Sequence, residues 1–592
     1  MHNIRSKRRW EVLLHIAALF FAPLCLSAQS DAPPATAVAS NPFSEGAAAL
    51  QRGDLPAAKL SFEKAVRQNP SDAQARNGLG LVLLSQNNPT SAIPHFQFAL
   101  RLMPSFVNAR VNLSTALLQT RDLQGATREA NLAVRLAPNE PDAYLALARA
   151  LEASSNIAGS IDAIRHALEL APSRPGLHDD LGVLLVRQND YSGATAEFQQ
   201  AFRLDPRLAS AHFHFGVLQF EQRQFEAAGD HLQQATQLDS KNYLAWNYFG
   251  RARLEQSNFT DSIIAFQSSL KLQAAQPEIL NLLGQSLQRA GKPADAAAAF
   301  REVLKLQPEN AAAQNNLGLT LLQYGDGDGA IAAFRAAIQA RPGDTGYQAN
   351  LGAAYLQRAD YAAAVTEFRN ALETAPNSQL LHYNLGLALK LQDKLPEAVA
   401  EFRAAEALDP SQPDAPYTLG VTLWQMGDAE GAAAELKKAI AARADYAEAF
   451  YTLGTVLKQQ SKLQESADAL REAIRLQPDF AGAHTTLAAV LRQLGDTQGA
   501  ATEARLGTEQ AKQKTSLQAA LFATNSGRRL RNAGDLDGAI SQFRAAIRSV
   551  ADYAPAHFEL AIALRQLGKK EEAAVEFQRA VALDPELVAP QP

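Results

Sequence analysis

The sequence contains little that would crosslink a fold or bind a metal through thiolates. Cysteine occurs once among the 592 residues, at Cys25. A single cysteine excludes a disulfide framework and a cysteine-based metal site. Beyond the N-terminal region the sequence also lacks any run of 18 apolar residues. This absence excludes a polytopic membrane protein.

Neither sign of charge dominates the composition. The 56 lysines and arginines are opposed by 61 aspartates and glutamates, giving a net charge of −5. A weakly acidic chain of this kind does not have the basic surface of a general nucleic-acid binder. Hydrophobic residues make up 47% of the chain and charged residues 20%. This composition is typical of a globular protein and excludes a largely disordered one.

The N-terminus has the order of a secretory signal. A basic segment (residues 5–9) precedes an apolar run, Val12–Ala22, and small residues follow up to Ala28. We predict a signal peptide over residues 1–28 and a Pro/Ala/Ser-rich flexible linker over 29–38. Cleavage after Ala28 would release a periplasmic or extracellular protein with no integral membrane span.

Two alternatives to cleavage remain open at this stage. An uncleaved signal would anchor the chain in the membrane, but Val12–Ala28 is interrupted by His15 and Pro23 and is short for a span of about 20 residues. A lipoprotein would use Cys25 as its lipid attachment site. The residues before Cys25, Ala22-Pro23-Leu24, fit a lipoprotein signal poorly.

A period of 34 residues runs through the rest of the chain. Small residues recur at positions 8, 20 and 27 of each unit, position 24 is usually phenylalanine, and position 32 is often proline. The apolar residues between them are spaced by three and four, which predicts two helices of about 13 residues in each unit. Small side chains let the two helices approach closely, and the proline ends the second. The prolines in register are Pro70, Pro104, Pro138, Pro172, Pro206, Pro308, Pro342, Pro376, Pro410, Pro478 and Pro585.

The pattern resembles the tetratricopeptide repeat. In the tenth unit the matching residues are Leu351, Gly352, Tyr355, Ala364, Phe368, Ala371 and Pro376. The resemblance implies an all-α solenoid, a right-handed superhelix of stacked antiparallel helix pairs whose first helices line a concave groove. We predict repeats 1–14 over residues 39–514, an insertion at 515–519, repeats 15–16 over 520–587 and a short tail at 588–592.

Two places in the array depart from the pattern. The five inserted residues Thr515–Ala519 follow Lys512, which stands where other repeats have proline. We expect the stack to bend or weaken there. The final helix pair has no further solvating helix, so Val575 and Val581 would be partly uncovered. Weak self-association at that end is therefore expected.

No segment predicts catalysis, a cofactor or a metal site. Five histidines stand at repeat position 4, where we expect them to pack at a helix interface: His178, His212, His382, His484 and His557. The segment from Gly284 to Pro293 does not have the spacing of a phosphate-binding loop. The glycine- and aspartate-rich segment 325–329 is too short for a calcium-binding loop. We therefore predict that the protein is not an enzyme.

Two rows of residues are candidates for the groove that the resemblance implies. The first row is rich in amides, which can both donate to and accept from a peptide backbone. It comprises Asn316, Asn350 and Asn384 at position 6, with Gln323 and Gln357 at position 13. It resembles the asparagine ladder of O-linked N-acetylglucosamine transferases. The alternative is that asparagine at position 6 is only a common repeat residue.

The second row is basic and aromatic. Position 12 carries Lys390, Trp424, Lys458, Arg492, Arg531 and Arg565, and position 5 carries Tyr383, Tyr417 and Tyr451. Arginine and tyrosine are frequent anchors at interfaces, so this row suits an acidic peptide. An anionic polysaccharide is a second possible ligand. A solvated face without a ligand is the third interpretation.

These observations predict a non-catalytic, exported scaffold that binds extended protein segments in its groove. The resemblance suggests a role in cell-envelope assembly or secretion. Two alternatives remain: a substrate-recruiting partner of a glycosyltransferase-like enzyme, and a scaffold that binds anionic polysaccharide for export.

Overall fold

The computed structural model describes residues 41–587. The predicted signal peptide, linker and tail lie outside these residues. Within them the chain forms 31 helices and no strand, which confirms the all-α prediction. Residues cluster into two compact units, one up to Thr320 and the other from Leu321.

The first unit contains sixteen helices and most of a seventeenth, α17, which continues past Thr320 into the second unit. Their bounds are α1 Pro42–Gln51, α2 Leu55–Gln68, α3 Ala73–Ser85, α4 Pro89–Leu102, α5 Val107–Gln119, α6 Leu123–Leu136, α7 Pro141–Ala153, α8 Ile157–Leu170, α9 Pro175–Arg187, α10 Tyr191–Leu204, α11 Ala209–Glu221, α12 Phe225–Leu238, α13 Tyr243–Glu255, α14 Phe259–Leu272, α15 Pro277–Arg289, α16 Pro293–Leu306 and α17 Ala311–Tyr324.

The second unit continues the same alternation of first and second helices. Their bounds are α18 Gly327–Ala340, α19 Thr345–Gln357, α20 Tyr361–Thr374, α21 Gln379–Leu391, α22 Leu395–Leu408, α23 Asp414–Gln425, α24 Ala429–Ala442, α25 Ala447–Gln459, α26 Leu463–Leu476, α27 Ala481–Leu494, α28 Thr497–Asn532, α29 Leu536–Ser549, α30 Ala554–Gln566 and α31 Lys570–Leu583.

Each unit is a stack of helix pairs. Within a pair the two helices pack together, and each second helix also packs on the first helix of the next repeat. The first helices of neighbouring repeats touch directly, as α5 touches α7 in the first unit and α23 touches α25 in the second. The first helices therefore form one continuous wall within each unit, and this wall carries the candidate groove positions.

A left-handed residue at position 15 turns the chain between the helices of each pair. Glycine provides this conformation at Gly53 (φ 75°), for example, whereas Ala359 adopts it with φ 59°. The next residue is often an aspartate or asparagine that caps the second helix, as Asp360 accepts a hydrogen bond from the Ala363 amide at 3.1 Å. The recurrent turn and cap start the second helix at the same place in successive repeats.

Glycine at position 8 packs against the position-24 side chain of the same repeat. A Cβ atom added to Gly352 would lie 2.6 Å from a ring carbon of Phe368. Where a serine replaces the glycine, at Ser114, position 24 is Ala130, so the contact remains small. Nine of the position-24 phenylalanines are completely buried: Phe62, Phe96, Phe198, Phe266, Phe300, Phe334, Phe368, Phe402 and Phe543. This interlock explains the small-residue pattern of the sequence.

Position 4 links successive repeats through hydrogen bonds, in addition to packing. Its polar side chain contacts the backbone carbonyl oxygen at position 32 of the preceding repeat. In this way Arg110 donates to Pro104 at 2.9 Å and Trp246 donates to Ser240 at 3.0 Å. The five position-4 histidines place Nε2 at 2.9–3.1 Å from the same carbonyl. The prediction that they only pack at an interface was therefore incomplete.

The five inserted residues do not interrupt the helix in which they lie. Helix α28 runs for 36 residues from Thr497 to Asn532, so it supplies both the second helix of repeat 14 and the first helix of repeat 15. Leu517 within the insertion is 50% exposed, and Phe522 just after it is 70% exposed. The insertion thus adds length to one helix and does not form a loop.

Candidate binding groove

The groove positions of neighbouring repeats are joined by side-chain pairs 35 residues apart. Position 5 of one repeat meets position 6 of the next, and position 12 meets position 13. These contacts require residues from two different repeats, so no single motif encodes them. The position 5–6 pairs are Asn77–Asn112 at 3.1 Å, Asp179–His214 at 2.9 Å, Asn281–Asn316 at 3.1 Å and Tyr383–Thr418 at 3.4 Å. The position 12–13 pairs are Glu152–Arg187 at 2.7 Å and Trp424–Gln459 at 2.6 Å.

The three predicted ladder asparagines belong to different units. Asn316 lies in the first unit, where its amide nitrogen donates to Asn281. Asn350 and Asn384 lie in the second unit and are half-buried. The side chain of Asn384 has no hydrogen-bond partner within residues 41–587, so both its donor and acceptor groups are available to a ligand. Gln323 and Gln357 belong to the second unit and are exposed.

Some cations of the predicted basic and aromatic row contact other side chains of the protein, and others do not. Arg531 forms an ion pair with Glu559, a largely buried residue that also binds Arg528 at 2.7 Å. Arg565 lies over the ring of Phe577, with its guanidinium carbon 5.7 Å from the ring centroid. Neither arginine is therefore a free ligand for a partner.

Three other cations of the row have no ion pair in the part of the chain that the structure describes. They are Lys390, Lys458 and Arg492, which lie on α21, α25 and α27. Lys390 is half-buried, and burial lowers the pKa of its ammonium group. Between Lys390 and Lys458 in the repeat order lies Trp424, which is half-buried and donates to Gln459. These four residues occupy position 12 in consecutive repeats of the second unit, so we call them the basic row.

The predicted tyrosines at position 5 also belong to the second unit. Tyr417 lies next to Tyr446, with ring centroids 4.9 Å apart, and Tyr451 lies next to Phe480 at 4.7 Å. Tyr446 and Phe480 occupy position 34, immediately before the next first helix. The predicted groove positions did not include position 34. An aromatic residue two places after position 32 is the sequence signal for it.

A tyrosine pocket opens beside the first of these ring pairs. It has a volume of about 460 Å³ and is lined by Tyr417, Arg443, Asp445, Tyr446 and Glu448. Burial first, and then Tyr417, raises the pKa of Tyr446 to about 12. Its hydroxyl group is therefore neutral and a hydrogen-bond donor across the physiological pH range.

The first unit has a cluster of ionisable side chains at groove positions 5, 6 and 12. Asp180 is half-buried beside Asp179, and burial raises its pKa to about 6. Burial also disfavours the charge of His214, but Asp179, Asp180 and Glu152 outweigh this effect and raise the His214 pKa. The contact between Asp179 and His214 joins neighbouring repeats.

Within residues 41–587, no three His, Asp or Glu side chains are grouped closely enough to hold a metal ion. The rings of His212 and His214 diverge, since His212 meets His231 at 3.0 Å whereas His214 meets Asp179. In the same range, no helix combines the length and apolar character needed to cross a bilayer.

Comparison with solved structures finds several similar chains. The APC/C hetero-tetramer Cut9–Hcn1 is 15% identical with a TM-score of 0.31, covering 88% of this chain and 95% of that one. YrrB, described as a TPR protein with an unusual peptide-binding site, is 21% identical with a TM-score of 0.29, covering 31% and 95%. MamA from Desulfovibrio magneticus RS-1 is 22% identical with a TM-score of 0.28, covering 29% and 96%. No curated protein sequence matches the chain.

Family models match almost the whole described length. Both models that match describe the tetratricopeptide repeat. One matches residues 43–105, 180–243, 215–278, 281–345, 350–413, 417–479, 451–512 and 524–587, and the other matches 83–151. Together with the stacked helix pairs, these matches confirm the resemblance, and the chain belongs to the tetratricopeptide repeat family.

Proposed function

We propose that this protein is an exported scaffold that binds an extended segment of a protein partner along the first-helix wall of its second unit. Scaffolding of protein interactions is the general role of the family. The finer proposal depends on one observation: Lys390, Lys458 and Arg492 recur at position 12 without an ion pair in residues 41–587. A row of unpaired cations beside Trp424 favours a partner with acidic residues.

Other groups in the same unit suit a peptide backbone. Asn384 lies six residues before Lys390 on α21, and its amide group is free to donate and accept. Tyr451 lies seven residues, about two helical turns, before Lys458 on α25 and adds an amphipathic ring. A partner that follows several repeats would therefore meet backbone-binding amides, rings and cations in succession.

The cations can be tested by charge removal. We would compare chain 29–592 with a triple variant, Lys390→Gln, Lys458→Gln and Arg492→Gln, on arrays of acidic peptides and of anionic glycans. Solvated charge contacts contribute about 0.2–1 kcal/mol each, so the variant should bind acidic peptides about 3- to 100-fold more weakly. Binding to glycans with no binding to peptides would instead support the polysaccharide alternative.

A matched control removes the same charge from another face. The triple variant Arg403→Gln, Lys437→Gln and Lys462→Gln changes three exposed cations that lie on, or just before, second helices of the same unit. We expect it to retain peptide binding. Equal losses in both triple variants would mean that overall charge, and not the basic row, drives binding.

Export and the cellular role form the second part of the proposal. A cleaved signal places the scaffold in the periplasm or outside the cell, where it would serve envelope assembly or secretion. Expression of the complete chain should yield an exported product whose N-terminal residue is Gln29. A product that retains residues 1–28 in the membrane fraction would support the anchored alternative.

Self-association is a separate expectation. Val575 and Val581 on α31 are 64% and 37% exposed. Such apolar side chains on one helix would give weak dimerisation that depends on protein concentration. Sedimentation velocity over a hundredfold range of concentration tests it, and a constant monomer would contradict it.

A further inference from the structure

The acidic groups at the tyrosine pocket outnumber the cations that line it. Asp445 and Glu448 line it, and the charge of Asp414 also acts on Tyr446 from the start of α23. None of these three carboxylates has an ion pair within residues 41–587. Arg443 is the only cation that lines the pocket. The pocket therefore attracts a further positive charge.

The walls of the pocket favour a planar cation in particular. The guanidinium carbon of Arg443 lies 3.4 Å from the centroid of the Tyr446 ring, so one face of that ring already accepts a guanidinium group. The centroid of the Tyr417 ring lies 4.9 Å from that of the Tyr446 ring, and the two ring planes are tilted by 39°. No cation lies over the Tyr417 ring in the described residues. A guanidinium group can stack on an aromatic face and also form paired hydrogen bonds to a carboxylate.

The pocket lies at the opposite end of the first helices from the basic row. On α25, Glu448 is the second residue and Lys458 is the second-last. Ten residues of helix separate them by about 15 Å. On α23, Asp414 and Tyr417 lie in the first turn and Trp424 lies in the last. The same wall is thus acidic and aromatic along one edge and basic along the other.

We infer that the tyrosine pocket binds an arginine side chain of the partner segment, and that the same segment carries a carboxylate about 15 Å away for the basic row. This inference rests on the proposed groove function, and it adds the chemistry of the partner. Where the segment crosses the wall parallel to α25, an extended chain advances about 3.3 Å per residue, so the arginine and the acidic residue are about five positions apart. A uniformly acidic segment would satisfy only one edge of the wall.

Synthetic peptides provide a direct probe. One peptide has a Gly/Ser background with an arginine and, five residues later, an aspartate. Two matched peptides replace the arginine with glutamine or the aspartate with asparagine. We expect the first peptide to bind chain 29–592 at least about fivefold more tightly than either replacement, as measured by calorimetry. Equal affinity of the arginine and glutamine peptides would overturn the inference.

Protein variants separate the pocket from the groove as a whole. Glu448→Gln should lower the affinity for the arginine peptide to that for the glutamine peptide, whereas Glu430→Gln, an exposed carboxylate on α24, should leave it unchanged. If Glu448→Gln has no effect while Lys458→Gln still weakens binding, the pocket fails and the groove function stands. If Lys458→Gln has no effect while Glu448→Gln still does, the groove function fails and the pocket stands.

Removal of Arg443 tests the pocket, because the proposal predicts stronger binding and a purely structural role of Arg443 does not. Its guanidinium occupies the Tyr446 face and opposes a second cation by charge repulsion. Arg443→Ala should therefore strengthen binding of the arginine peptide several-fold and leave the glutamine peptide unaffected. Weaker binding of the arginine peptide by this variant would overturn the assignment of the pocket.

Discussion

His484 places Nδ1 2.6 Å from a carboxylate oxygen of Glu503. Its Nε2 lies 3.0 Å from the carbonyl oxygen of Pro478 in the preceding repeat. The ring therefore joins a side chain of its own repeat to the backbone of the preceding repeat. Three further rings have the same two contacts: His178 with Glu197, His382 with Glu401 and His557 with Glu576.

Arg110 shows the same clamp with a permanent charge. It donates to Glu129 at 2.6 Å and to the carbonyl oxygen of Pro104 at 2.9 Å. The arginine and the four histidines thus link the two helices of one repeat to the end of the preceding repeat. Within residues 41–587, each of the four histidine rings has its glutamate as its single acidic partner.

The first prediction is that these clamps stabilise the stack of repeats. His484→Ala removes both side-chain contacts and leaves Glu503 and the carbonyl oxygen of Pro478 without this partner. It should therefore lower the unfolding free energy by about 1–3 kcal/mol. His484→Arg keeps donors for both acceptors, as Arg110 does, and should lower it much less.

Urea denaturation of the unaltered protein and both variants measures this difference. The control is His166→Ala, an exposed histidine whose ring contacts Glu169 within its own helix and lies beside the Tyr144 ring. It should change the unfolding free energy much less than His484→Ala. An equal loss in the two alanine variants would contradict the clamp.

Asp180 yields the second prediction, which concerns pH. Burial first raises its folded-state pKa from 3.8 to about 6, with Arg149 partly opposing this. The folded state therefore binds the proton more tightly than the unfolded state. The resulting stability is present below about pH 4 and is lost as the pH rises through 6. At pH 8, ionised Asp180 costs about 2–3 kcal/mol.

Asp180→Asn removes the charge and retains the shape, so it should stabilise the first unit at pH 8 and have little effect at pH 4. Hydrogen exchange of helix α9 at both pH values reports this locally. Asp162→Asn, an exposed carboxylate on α8, is the control. No gain at pH 8 for Asp180→Asn would mean that Asp180 is not ionised at a cost in the folded protein.

The repeat core provides the third prediction. Gly352→Leu inserts a side chain where an added Cβ would already lie 2.6 Å from Phe368. Overpacking of this kind should lower the unfolding free energy by about 1–3 kcal/mol. Ala353→Leu changes the next residue, which is exposed, and should be nearly neutral. Similar stability of the two variants in thermal denaturation would contradict the packing register.

The repeat core was predictable because it depends on residues within one period. The spacing of Gly352, Phe368 and Pro376 recurs in other repeats, so these repeats predict the same two helices and the same contact between them. The groove pairs were not predictable in this way. Asn316 is satisfied by Asn281, and Trp424 by Gln459, because the stacking of successive repeats aligns side chains 35 residues apart. Whether an amide or a cation is free therefore depends on the neighbouring repeat.

The sequence around helix α28 contains a signal for a continuous helix. Where other repeats have a proline, this one has Lys512, and residues 513–519 contain neither proline nor glycine. Other second helices end in register without this proline, at Leu238 before Ser240 and at Ala442 before Ala444. The missing proline therefore permits the helix to continue through the insertion but does not by itself cause it. The insertion therefore extends the helix.

The last prediction restores the missing stop. Lys512→Pro removes a backbone hydrogen bond and introduces a ring that clashes with the preceding turn, which costs about 3 kcal/mol within a helix. We expect lower helicity and new protease cleavage between Gly507 and Ala519. The matched control is Thr497→Pro at the first residue of the same helix, where Pro89 and Pro293 stand at the equivalent position of other repeats. A proline there fits the first turn and should be tolerated. If Lys512→Pro is as stable and as protease-resistant as Thr497→Pro, residues 512–519 are not part of one continuous helix in solution, and the two flanking helices fold as separate elements.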